Sequence, residues 1–158
     1  MKLYLIRHGI SEEAREGMND EDRQLTNEGR QELISTLRSA RATGFDATLI
    51  LTSPLVRAVQ TAEIAARELG YRHELVPSRA LIPEGRISDV WEEIRTHRDE
   101  KELLLASHNP LCASLVGYLL GTPRLTVRFR KGAILRVDFE SFGPEPRGVL
   151  QWFLPPLR

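Results

Sequence analysis

The 158-residue chain has one cysteine, four histidines, no excess of charge of either sign and no long apolar run. A lone Cys112 cannot close an intrachain disulfide, which suits a reducing compartment. It also excludes a zinc site built on cysteines. Cys112 falls in an apolar helical pattern and reads as a small core residue. The 22 basic residues equal the 22 acidic ones. Nucleic-acid coats and membrane-surface binders carry a basic excess, so neither nucleic acid nor a membrane is expected as a partner, while a local basic pocket is still allowed. Nothing approaches the roughly 20 apolar residues that span a bilayer. The first apolar stretch is cut off by Arg7 and His8 and is shorter than the roughly 7–15-residue core of a signal peptide. A soluble, cytoplasmic protein is the expectation.

What is present is a hydrophobic content of 41% in a length typical of one core, so residues 1–158 are expected to form one domain. Near-continuous apolar runs at 2–6, 47–51 and 102–106 predict buried strands, with a shorter one at 73–76. Two later strands are expected at 134–139 and 149–154, joined by a turn from Gly143 to Gly148. Helical spacing marks 27–42, where Leu33, Ile34, Leu37 and Ala40 form the stripe behind a Thr26 cap. It marks 54–69, with Ser53 as the cap, Pro54 at the first helical position and Gly70 as the stop, then 87–97, and a stretch opened by the same cap-plus-proline pattern at Asn109-Pro110 and running to about Leu120. The order β-α-β-α-β-α-β-α-β-β implies an α/β fold whose mostly parallel sheet is covered on both faces and made mixed by the closing pair. Residues 10–24 read as a polar loop. Its acidic run, Glu12, Glu13, Glu16, Asp20, Glu21 and Asp22, reads as a solvated surface that would repel small anions from a rim.

Ligands of such sheets bind beyond the carboxyl ends of the strands. The first strand ends in LYLIRHG, so it delivers Arg7 and His8 there. The second ends in Thr52-Ser53-Pro54, with Arg57 about one helical turn on. A third ends in Ser107-His108-Asn109-Pro110. If these strands are parallel, two arginines and two histidines converge on one edge. Guanidinium forks suit phosphate oxygens, and the helix starts after Ser53 and Asn109 add backbone N–H groups. A histidine kept neutral by its arginine neighbours can attack phosphorus. His73 and His97 have no such company and read as structural.

Leu5-Ile6-Arg7-His8-Gly9, Ser53-Pro54-x-x-Arg57-x-x-x-Thr61 and Ser107-His108 together resemble the three motifs of the histidine phosphatase superfamily. The short chain, Arg23-Gln24-Leu25-Thr26-x-x-Gly29 and Trp152-x-Leu154-x-Pro156 are similar to its SixA-like phosphohistidine phosphatases. The resemblance runs from residue 2 to 156. It implies a three-layer α/β/α sandwich of about six strands, phosphoglycerate mutase-like. It implies His8 as nucleophile, with Arg7, Arg57 and His108 binding the phosphoryl group. Ser53, read first as a helix cap, is by its position a second candidate for phosphate contact. The resemblance implies no metal and no organic cofactor. Gln24 stands where the branch often has proline, which bears on the loop's shape and on any ligand role of Arg23. The larger superfamily places a general acid after the third strand, where Glu84 is the first candidate and Asp89 the second. An imidazole leaving group needs such an acid far less than an alkoxide does. The expected substrate is a phosphohistidine-bearing protein. The alternatives are a small phosphate ester, or phosphoryl binding with weak turnover. The sequence leaves the oligomeric state open.

Overall fold

Apolar strands and amphipathic helices alternate along the computed structural model, which describes residues 1–157. Strands β1 (Lys2–Arg7), β2 (Leu49–Thr52), β3 (Val76–Pro77), β4 (Glu102–Ser107), β5 (Ile134–Asp138) and β6 (Val149–Leu154) form one sheet in the order β3-β2-β4-β1-β5-β6. The first four are parallel; β5 runs antiparallel to β1, and β6 antiparallel to β5. Helices α1 (Asn27–Ala42) and α2 (Val56–Leu69) cover one face, and α3 (Ile87–Thr96) and α4 (Leu111–Leu119) the other. This is the three-layer architecture that the alternation predicts.

The central strand shows why both faces are covered. Leu3 and Leu5 point into the cluster under α3 and α4, while Tyr4 and Ile6 point into the cluster under α1 and α2. All four are fully buried, and each such side chain contributes about 1.5–3 kcal/mol relative to exposure. A strand loaded on both faces cannot slip by one residue without exchanging its two side-chain sets. Register is fixed accordingly: Arg7 lies beside Ser107, Ile6 beside Ala106, and Ala106 beside Thr52. The carboxyl ends of β1, β4 and β2 are therefore flush.

Four local expectations need correction. The second strand lies at Leu49–Thr52 rather than 47–51. The helix after it starts at Val56, not at Pro54, and Leu55 occupies the cap position. The Ser53 hydroxyl accepts from Leu55 N at 3.2 Å, a turn ahead of the helix rather than its cap. The strand expected at 73–76 shrinks to Val76–Pro77 at the sheet edge, where both residues are exposed. The stretch after Asn109 becomes helical only at Leu111, with Pro110 in the cap position. At two other positions the expected chemistry holds. The Thr26 side chain caps α1 by accepting from Gly29 N, and Gly70 ends α2 in the left-handed conformation at φ +67°, where a side chain would be strained.

Candidate active site

Flush strand ends set adjacent residues side by side. His8 follows Arg7 and donates its backbone N–H to Ser107 O at 3.0 Å; Ser53 N donates to Ala106 O at the same distance. The rings of His8 and His108 stand 5.0 Å apart. His8, Ser53, Arg57 and His108 are all buried. The second motif supplies a further tie, because Thr61 Oγ1 accepts from Gly9 N at 3.2 Å and donates to Arg57 O at 2.8 Å.

Each of the four principal side chains is held from behind. Nδ1 of His8 faces Gly9 O at 2.7 Å. A carbonyl only accepts, so Nδ1 carries the proton and Nε2 keeps its lone pair. Arg7 donates from Nη1 to Phe129 O at 2.8 Å. Arg57 donates from Nη1 to Asp20 O at 2.8 Å and from Nη2 to Asp20 Oδ2 at 3.1 Å. Nε2 of His108 lies 2.7 Å from Ser53 Oγ. One polar atom of each of three residues is left over. Among the described residues, five buried side-chain polar atoms lack a protein partner, and three of them are Arg7 Nε, Arg57 Nε and His108 Nδ1. The other two, on Tyr4 and Trp152, belong to the core cluster under α1 and α2.

Electrostatics follow from burial among cations. His8 is pushed down to about 3, by burial first and then by Arg57, Arg7 and Lys131, against the opposing Gly9 carbonyl. His108 is also pushed down to about 3, by burial and then by His8 and Arg57. Both are neutral at physiological pH. Burial lowers both arginines from their ordinary value, yet a guanidinium stays charged under any working condition. The arrangement is a neutral imidazole with a free Nε2 lone pair beside two fixed cations, a set suited to a phosphoryl group. No group of three His, Cys, Asp or Glu side chains among the described residues could hold a metal ion.

The structure gathers Arg7, His8, Ser53, Arg57 and His108 into one cluster. Glu84 is exposed in the loop before α3 and acts on Arg57 through its field, without a hydrogen bond. Asp89 is exposed in the first turn of α3. Arg23 is turned to Asp20, Ser11 and Glu12. His73 packs edge-on against Tyr71, and His97 ends α3. Cys112 is buried and its thiol is pushed up to about 12 by that burial, which keeps it inert.

The sequence of residues 3–81 matches the model of the histidine phosphatase superfamily, branch 1. The chain belongs to that superfamily. Among solved structures, the protein histidine phosphatase SixA complexed with tungstate superposes with a TM-score of 0.86 at 26% identity, over 99% of this chain and 97% of the other. The fold is that of the SixA-like histidine phosphatases. Two sequence relatives frame it. An uncharacterised protein of Picosynechococcus sp. strain PCC 7002 is 36% identical over 70% of this chain and 67% of its own. A probable phosphoglycerate mutase of Cronobacter sakazakii is 28% identical over 89% and 86%. This histidine phosphatase is an enzyme of phosphoryl hydrolysis, with no helix long and apolar enough to cross a membrane among its described residues.

Proposed function

We propose that the chain is a phosphohistidine phosphatase working through a covalent phosphohistidine on His8, with residues 1–158 as one catalytic domain. The observation that carries this reading is the set of three buried nitrogens without a protein partner, Arg7 Nε, Arg57 Nε and His108 Nδ1, beside a neutral His8; the last is a donor when the Ser53 O–H is given to His108 Nε2. A buried donor without an acceptor is unfavourable by about 1–3 kcal/mol, more when charged. A phosphoryl group offers three oxygens to three such donors.

In this account the His8 Nε2 lone pair attacks phosphorus while the bond from phosphorus to the substrate imidazole breaks. The leaving imidazole takes up a proton from solvent. Water then attacks phosphorus, the bond to Nε2 breaks, and orthophosphate leaves His8 neutral again. Arg7 and Arg57 hold the charge spread over the equatorial oxygens. Ser53 acts through His108. Its oxygen accepts from Leu55 N–H; with its O–H donating a hydrogen bond to His108 Nε2, the neutral ring carries its hydrogen on Nδ1 and donates it to the phosphoryl group.

The leaving group is the point that favours phosphohistidine. Glu84 and Asp89 are both exposed and neither has a hydrogen bond to the four principal residues. Imidazole, with a pKa near ~6.5, departs without a dedicated acid, whereas an alkoxide does not. Similarity to a SixA protein at 26% identity supports the same reading. The second reading, a small-ester phosphatase, is favoured by the similarity to a probable mutase and by Glu84's proximity to Arg57.

Orthophosphate release from a histidine-phosphorylated carrier protein separates these readings. Wild type and Glu84→Gln should both release it, and His8→Ala should not. No release by wild type, together with turnover of small phosphate esters that drops ~10²–10⁴-fold in Glu84→Gln, would overturn the phosphohistidine reading. Retention of orthophosphate with no turnover of either substrate would leave only a binding module.

A further inference from the structure

Of the six acidic residues between positions 12 and 22, Asp20 alone turns toward the candidate site. It opens a short 3-10 turn, Asp20–Asp22, and spends every acceptor it has on arginine. Oδ1 takes Arg23 Nε at 2.8 Å, Oδ2 takes Arg57 Nη2 at 3.1 Å, and the backbone O takes Arg57 Nη1 at 2.8 Å. The Arg57 side chain is only 4% exposed, while that of Asp20 is 57% exposed. A buried guanidinium is thus gripped along its outer edge by a carboxylate at the rim.

Two consequences follow from that grip. Asp20 takes one N–H from each terminal nitrogen of Arg57, so Nε, which has no protein partner, and the second N–H of each terminal nitrogen remain for an anion. The carboxylate also cancels much of the guanidinium charge that a phosphoryl dianion would meet. Partial burial pushes the Asp20 carboxyl up, but Arg57 and then Arg23 hold it below the ordinary range, so it is an anion at working pH. The same negative charge reaches His108.

We infer that Asp20 is a positioning residue and charge counterweight for Arg57, setting how weakly the site holds a phosphoryl dianion and so how readily orthophosphate leaves. The inference rests on Arg57 being a phosphoryl ligand, as read above. A hydrolase that ends each cycle on phosphate bound between two arginines gains from such a counterweight, because product release limits many enzymes.

The test uses the whole purified chain with tungstate and orthophosphate as probes, at mildly alkaline pH and low salt. Asp20→Asn keeps the backbone carbonyl and one side-chain acceptor while removing the charge. Its Kd for tungstate and its product-inhibition constant for orthophosphate should both fall on the order of tenfold, the Coulomb expectation after discount for exposure. Asp20→Glu restores the charge and should return both constants toward wild type. Asp22→Asn, which removes the same net charge from an exposed side chain two residues away, should leave them unchanged. Weaker or unchanged binding in a folded Asp20→Asn protein would overturn the inference, as would an equal effect of Asp22→Asn. If wild type itself bound neither probe, the phosphoryl-site reading would fall, and this inference with it.

Discussion

Burial holds His8 and His108 uncharged, each pushed down to about 3, against about 6.5 in an unfolded chain. The sign of the linkage is fixed by that order. Between the two values the unfolded chain binds protons that the folded one refuses, so stability falls as pH drops from about 6.5 toward about 3. Denaturant titrations across that window should show a decline that becomes shallower in His108→Gln, which cannot take up the proton. An equal slope in the variant would contradict the assignment of neutral, buried histidines. At this scale the sequence is informative wherever a side chain does the chemistry. Arg7, His8 and His108 stand out because polar, ionisable residues at the ends of apolar runs are unusual, and Arg57 because it lies one helical turn past such an end. Asp20 does not stand out, because one carboxylate in a run of six looks like its neighbours; its spacing of three from Arg23 was the available signal. The Phe129 carbonyl that anchors Arg7 is a backbone group and leaves no mark in composition.

Helix α1 connects local structure to His8. Its first two turns press on the two residues after His8: a side chain at Gly29 would meet Ile10 O at 2.2 Å, and one at Gly9 would meet Leu33 Cδ1 at 2.7 Å. Thr26 N also donates to Ile10 O at 3.0 Å. Gly29→Ala must therefore push backbone against backbone. It should destabilise the protein by about 1–3 kcal/mol despite alanine's better helix propensity and lower kcat by displacing Gly9 and His8. Urea unfolding and initial rates would check both, and a stability gain would refute the close packing. Elements with strong periodicity and a cap, such as α1, are legible to the residue. The start of α2 is not, because the Ser53 hydroxyl bonds both His108 and Leu55, and a sequence cannot say which partner wins.

Across the whole molecule, alternation of strands and helices was enough to expect a covered, mostly parallel sheet, since neither element can leave its apolar face in water. The order β3-β2-β4-β1-β5-β6 is not readable that way, because it depends on which buried faces fit one another. That order puts β1 between β4 and β5, next to the strand that carries His108, and brings the strand end of β2 within one strand of it. The central claim is that this edge makes His8 Nε2 the atom that accepts the phosphoryl group. The most direct measurement is a rapid quench during turnover of a histidine-phosphorylated protein, with the trapped phosphoenzyme analysed by phosphorus NMR and peptide mapping. The account predicts acid-labile phosphate on Nε2 of His8, absent in His8→Ala. Phosphate on Nδ1, on His108, or steady turnover with no phosphoenzyme at all would contradict it.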